Sequence, residues 1–199
     1  VNRICWSGGE AIVQGAKELI NGEAEVVLVG GYESTSQSPL LIYGAAWGFP
    51  YMAGPKTLFL FKDVLNDTFI NNDMMGTAEN LVRLYGITRE EVDEFAISSQ
   101  MKAKDAQEKC RLGKEITPVT VREGKKERVL SADENPRPDT TLAALARIPA
   151  VKPDGVHTGG NSSGIVDGAA ALVLTTAGKA KELGVEPIGE LISWGVAGV

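Results

Sequence analysis

A run of four aliphatic residues, Val26-Val27-Leu28-Val29, follows closely on an amphipathic helical pattern, and this pairing constrains the fold more than any other feature. Between Ser7 and Asn21 the apolar residues Ala11, Ile12, Ala16, Leu19 and Ile20 recur at helical spacing, and Gly22 stands where a C-terminal cap is expected. An unbroken aliphatic run of that length suits a strand buried on both faces. A helix leading into such a strand predicts an α/β sheet.

The alternation then lapses. From Ser34 to about Gly155 the chain becomes polar, with scattered Gly and Pro, which reads as an insertion into the sheet. Inside it, Thr77 to Leu84 has the pattern of a short helix. Thr88 and Glu91 form a capping box that opens a long helix to about Leu112, with Gly113 as its stop. Ile116 to Val121 and Arg128 to Ser131 have the character of short strands. Regular order resumes after Gly155, with a predicted strand over Gly168 to Thr175, a helix over Ala177 to Leu183 ended by Gly184, and a strand over Ile188 to Val196.

Bulk properties exclude several classes. The net charge of -6 argues against a nucleic-acid surface, which needs clustered cations, and the basic stretch Lys125 to Arg128 reads as a solvated turn between strands. No apolar run approaches the roughly 20 residues of a membrane-spanning helix. Cys5 and Cys110 lie in dissimilar contexts, so a disulfide framework is not expected, and a reducing compartment, by default the cytoplasm, is. The chain begins without Met and ends in an apolar stretch, so both ends read as cut.

The segment Asn2-Arg3-Ile4-Cys5-Trp6-Ser7-Gly8-Gly9-Glu10-Ala11-Ile12 carries the chemistry. A cysteine at the start of a helix faces unpaired N–H groups and the positive end of the macrodipole, which favour thiolate over thiol. Its own N–H is a candidate oxyanion donor, and Gly8 and Gly9 leave room for substrate near the backbone. The plain alternative is a small buried cysteine that only packs.

With Gly30-Gly31-Tyr32-Glu33-Ser34 behind it, this passage resembles the nucleophile region of thiolases, where a Cys-x-Ser-Gly turn opens a helix. The resemblance continues in register through Met75-Gly76-Thr77-Ala78-Glu79-Asn80, Arg89-Glu90-Glu91-Val92-Asp93, Glu115-Ile116-Thr117-Pro118-Val119 and Asp133-Glu134-Asn135-Pro136-Arg137-Pro138. Its most specific part is Thr158-Gly159-Gly160-Asn161-Ser162-Ser163-Gly164-Ile165-Val166-Asp167-Gly168-Ala169-Ala170.

The resemblance implies a thiolase-like layered α/β sheet, αβαβα in the full family, interrupted by a long α+β loop-domain insertion. Residues 1–34 and 156–185 would be parts of the N-terminal domain, 35–155 the inserted CoA-binding loop domain, and 186–199 the start of a C-terminal domain. It implies an acyl-CoA acyltransferase of acyl-CoA and fatty-acid metabolism, acting through a Cys5 acyl-enzyme. Acyl-CoA and coenzyme A would be substrates, with no prosthetic group and no metal. Ser163 and Gly164 would contact the pantetheine, and Arg137 would lie near the nucleotide, unless it is a plain surface charge. Met75 would line the acyl pocket or serve as a core contact. The full-length protein would be a homodimer or homotetramer.

Several family features are missing or altered. The family's catalytic His, its second Cys and a second oxyanion donor belong to its C-terminal half, so the expectation is a fragment that does not turn over alone. His157, the one histidine, reads as structural, and Cys110 does not match the second cysteine. Trp6 stands where the family prefers a small residue, either narrowing the acyl pocket or packing away from it. Around Met74-Met75-Gly76 many members carry a His and one more residue. A ketoacyl synthase or hydroxymethylglutaryl-CoA synthase would share the cysteine-start helix but not the Asn161 to Ala170 signature. The non-enzymatic alternative is a catalytically incomplete thiolase-like subunit that binds acyl-CoA or lipid.

Overall fold

The computed structural model describes residues 1–49, 56–59 and 64–197. In chain order the first elements are α1 (Ser7–Ile20), β1 (Val26–Glu33), β2 (Leu40–Tyr43), β3 (Lys56–Phe59), β4 (Asn66–Asp67) and β5 (Asn72–Asp73). Then come α2 (Met74–Tyr85), α3 (Arg89–Glu108), β6 (Val119–Glu123), β7 (Lys126–Leu130), α4 (Leu142–Leu145), β8 (Gly168–Thr175) and α5 (Ala177–Leu183). They fall into two compact units: Val1–Gln37 with Val166–Val199, and Ser38–Ile165.

In the first unit α1 lies against β1 and β8, which pair antiparallel with Val29 opposite Leu172 and Val27 opposite Leu174. The helix comes close because Gly15 faces the ladder. A Cβ there would sit 2.6 Å from Val29 and 3.2 Å from Leu174 and Val27, inside van der Waals contact. The expectation of a strand buried on both faces does not hold here. Val29 is 7% exposed on the α1 side, but Leu28 is 74% exposed, because α1 covers one face and no described element covers the other. The predicted strand over 188–196 is also absent, since this stretch finds no ladder partner among the described residues. Where the chain leaves and re-enters the unit, the backbone N–H and hydroxyl of Ser36 donate to the two carboxylate oxygens of Asp167, and the Thr35 hydroxyl donates to the Val166 carbonyl.

The second unit is built from local pieces. Helix α2 starts where the Asp73 carboxylate accepts the Gly76 N–H at 2.6 Å, and it ends at Gly86, which takes a left-handed φ of 63°. The capping box of α3 forms as the sequence predicts, the Thr88 hydroxyl accepting the Glu91 N–H while the Glu91 carboxylate accepts the Thr88 N–H. The helix stops at Glu108, short of Leu112. Cys110 adopts φ 52°, the Cys110 N–H reaches the Gln107 carbonyl and the Arg111 N–H reaches the Ala106 carbonyl, a Schellman ending in which cysteine takes the place usual for glycine. Strands β6 and β7 form a hairpin whose turn holds Gly124 and Lys125, so the basic stretch is partly turn and partly exposed strand.

Candidate active site

Cys5 is exposed and lies two residues before Ser7, the first residue of α1, with Trp6 as the flanking cap position. The turn around it is tightly specified. Ile4 adopts φ 51°, a region costly for a β-branched residue, and the conformation is held from several sides. The Ile4 N–H donates to Asn2 Oδ1 at 2.9 Å, the Arg3 N–H donates to Ser7 Oγ at 2.9 Å, and Ser7 Oγ donates to the Ile4 carbonyl at 2.7 Å. Arg3 Nε reaches the buried Glu10 carboxylate at 2.8 Å, tying the segment before the cysteine to the first turn of the helix.

Trp6 packs back along the helix rather than away from it. A Cβ on Gly9 would come within 2.6 Å of the indole, so the ring occupies the space a side chain at that position would take. Trp6 and Gly9 flank an apolar cleft of about 200 Å³ with Ile12, Val13, Leu191 and Trp194.

In the second unit Ser163 and Gly164 are exposed and Asn161 is half-buried. Met75 is half-buried in the first turn of α2. Arg137 is exposed, its N–H donating to Gln100 Oε1 at 2.7 Å and its carbonyl accepting from the Thr140 hydroxyl. Cys110 sits at the reversal after α3 and is exposed.

Glu79, whose role the sequence did not reveal, is 4% exposed and accepts the N–H groups of Val156 and His157 at 3.1 Å and the His157 ring Nδ1 at 2.9 Å. Burial pushes its carboxyl up, but the bonds from the His157 ring and the two backbone N–H groups, with the charge of His157, outweigh it, and the carboxyl titrates below its ordinary value of 4.5. His157 is thus bound into the structure, as expected of a structural histidine. The bonds from Ser36 hold the Asp167 carboxyl below its usual range as well.

The sequence reading also missed Asp93. Its carboxylate is 3% exposed and joins Arg89 Nε at 2.9 Å to Asn161 Nδ2 at 2.8 Å. The available signal was an Arg and an Asp four apart behind a capping box, a spacing that places both on one helix face.

Fold and site define an α/β protein with a cysteine at the mouth of a helix and an α+β segment between two paired strands. A family model described as "Thiolase, N-terminal domain" matches residues 1–178, and the chain belongs to the thiolase family. A protein named "Probable acetyl-CoA acyltransferase" from Staphylococcus epidermidis is 45% identical over 203 residues, covering 100% of this chain and 51% of that protein. One of the same name from Staphylococcus aureus is 42% identical over 201 residues, again covering 100% and 51%. Among solved structures, human mitochondrial 3-ketoacyl-CoA thiolase superposes with a TM-score of 0.87 at 37% identity, over 94% of this chain and 48% of that one. The acetyl-CoA acetyltransferase of Bacillus anthracis gives 0.87 at 42%, also over 94% and 48%. The chain therefore spans about half the length of the relatives it matches. Among the described residues no helix is long and apolar enough to cross a membrane.

Proposed function

We propose that this chain carries the nucleophile of an acyl-CoA acyltransferase that makes or cleaves 3-ketoacyl-CoA through an acyl-cysteine. The observation that carries the reading is Cys5, exposed at the mouth of α1 on a turn pinned by Asn2, Arg3, Ser7 and Glu10. The Cys5 thiolate attacks the carbonyl carbon of an acyl-CoA, the bond from that carbon to the CoA sulfur breaks, and CoA leaves as a thiolate that takes up a proton. In the synthetic direction the acyl group then passes to the deprotonated α-carbon of a second acyl-CoA, and the Cys5 thiolate is freed. In the degradative direction the Cys5 thiolate attacks the 3-keto carbon of a 3-ketoacyl-CoA, the bond from that carbon to the α-carbon breaks, the departing acyl-CoA takes up a proton at its α-carbon, and the acyl group passes from Cys5 to the sulfur of CoA.

Ser163 and Gly164 receive the pantetheine in this reading, Arg137 serves the nucleotide end and Met75 the acyl group. Support comes from their exposed or half-buried positions and from a solved relative described as human mitochondrial 3-ketoacyl-CoA thiolase in complex with CoA. The base and the α-proton carrier come from the rest of the polypeptide, since His157 is engaged by Glu79. The open apolar ladder face at Leu28 and Val173 favours an assembled protein, a homodimer or homotetramer.

Mass spectrometry of the full-length protein after incubation with acetyl-CoA tests the reading. The expected result is an acetyl adduct on the Cys5 peptide with one equivalent of CoA released, absent in Cys5→Ser. CoA binding without any adduct would instead leave a binding subunit. Residues 1–199 alone, given acetoacetyl-CoA and CoA, are expected not to turn over.

A further inference from the structure

We propose that Asp93 is a positioning residue for coenzyme A binding, acting through Asn161 on the turn that carries Ser163 and Gly164; this rests on the acyl-CoA reading above. The network starts at the capped end of α3. Arg89 spends Nε on Asp93 Oδ2 at 2.9 Å and Nη2 on the carbonyls of Leu145 and Ile148, at 2.7 and 3.0 Å, at and just beyond the end of helix α4. The other Asp93 oxygen accepts Asn161 Nδ2 at 2.8 Å.

Asn161 is then saturated. Its amide also donates to the Val156 carbonyl at 3.0 Å, and its Oδ1 accepts the Thr158 N–H at 2.7 Å. Thr158 is 0% exposed and closes the turn by accepting the N–H groups of Gly160 and Asn161 on its hydroxyl. Gly160 has no room for a side chain, since a Cβ would stand 2.5 Å from Ile148 and 2.7 Å from Leu145. Residues 158–161 are left with one conformation, because any other strands a buried donor or the Asp93 charge.

Apolar packing of the same volume would stabilise such a core as well as ion pairs and amides do, so the distinctive contribution of the network is geometric. The fixed geometry is handed to the next exposed residues, Ser163 and Gly164, which begin two positions beyond the last anchored residue. Glu79 closes the other side of the same loop at Val156 and His157 but does not touch Asn161, so Asp93 is the group through which the turn is tied to α3.

The test is CoA binding by the full-length protein, measured by calorimetry, beside alkylation of Cys5 by iodoacetamide, which needs no CoA site. Asp93→Asn turns an amide onto a donor, and Asn161→Asp sets two carboxylates together. Each is expected to raise the CoA dissociation constant about tenfold or more and to leave the alkylation rate within about twofold. The reciprocal exchange, Asp93→Asn with Asn161→Asp, restores a donor facing an acceptor between the two side chains but turns a carboxylate on the Val156 carbonyl, and is expected to bind CoA more tightly than Asn161→Asp alone without returning to wild type. Variants that melt earlier but bind CoA like wild type overturn the proposal, and so does an exchange no better than Asn161→Asp, which loses the same bond to Val156. If Asp93→Asn does not fold, Arg89→Lys, which keeps the charge but loses the fork, is read the same way. A wild-type protein that does not bind CoA sinks the acyl-CoA reading, whereas wild-type binding unchanged in the variants sinks only the role of Asp93.

Discussion

The first unit buries Val13, Val29 and Ala180 together with Glu10 and Thr35, whereas the second buries Glu79, Asp93 and Thr158 and, among the described residues, Leu145 as its one buried large aliphatic. These are different ways of making a unit. An apolar contact such as α1 on the β1–β8 ladder is nearly non-directional and accepts small shifts. A saturated network such as Arg89, Asp93 and Asn161 accepts one arrangement and fails outright when a partner is lost. The first unit thus presents a sulfur on a pinned turn, and the second holds the turn before Ser163 and Gly164 in fixed geometry, a division of labour under the proposed function.

The largest expected effect tests that division directly. Cys5→Ser in the full-length protein should lower turnover by roughly a thousandfold or more, because the covalent route is lost, while the CoA dissociation constant stays near that of wild type. Steady-state kinetics and calorimetry on one preparation check this. If CoA affinity fell in step with rate, chemistry and binding would not be separable between the units.

Stability sharpens the contrast next. Asp93→Ala removes the buried carboxylate that accepts from Arg89 Nε and Asn161 Nδ2, both half-buried, and should cost about 3 kcal/mol. Val29→Ala removes aliphatic surface facing Gly15 and should cost about 2 kcal/mol. Denaturant unfolding measures both, and a smaller loss for Asp93→Ala than for Val29→Ala would show that the polar network does not hold the second unit.

Acid should act on the second unit through Glu79. A carboxyl whose folded value lies below 4.5 contributes stability that is present above that pH and is lost as pH falls through the folded value. As pH falls below about 4.5, the margin by which wild type exceeds Glu79→Gln should therefore shrink. Denaturation midpoints between neutral and strongly acidic pH test the sign. A margin that grew on acidification would mean that burial, not the bonds from His157 and Val156, dominates the carboxyl.

Legibility followed the same line. In the first unit, period and punctuation sufficed: α1, β8 and α5 lie where aliphatic spacing and Gly184 put them. Strand β1 was located but not its open face, because burial depends on what covers a strand and not on its own residues. In the second unit the capped starts were readable from Thr88 and Glu91, yet the end of α3 was missed because Cys110, not a glycine, takes the left-handed position. The Thr158 to Asn161 signature was visible as a motif, but its partners Asp93 and Leu145 lie far away in sequence, and side-chain amide geometry leaves no periodic trace. For the candidate site, the position of Cys5 before a helix was plain from the sequence, whereas the Arg3–Glu10 strap joins residues that no spacing rule singles out.

The smallest effect concerns the helix that follows Cys5. Gly9 lies in the first turn of α1, where alanine would ordinarily gain about 0.5 to 1 kcal/mol by restricting the unfolded chain. Here a methyl group would stand 2.6 Å from the Trp6 indole, so the ring would have to shift. Trp6 is 62% exposed and free to swing outward, which makes the clash inexpensive but sufficient to cancel the gain. Gly9→Ala alone should accordingly be close to neutral, while in a Trp6→Ala background it should stabilise by about 0.5 to 1 kcal/mol, a coupling that a double-mutant cycle resolves. Equal effects of Gly9→Ala in both backgrounds would show that the indole does not rest on the helix, and that the cleft beside Cys5 is shaped by something other than Trp6.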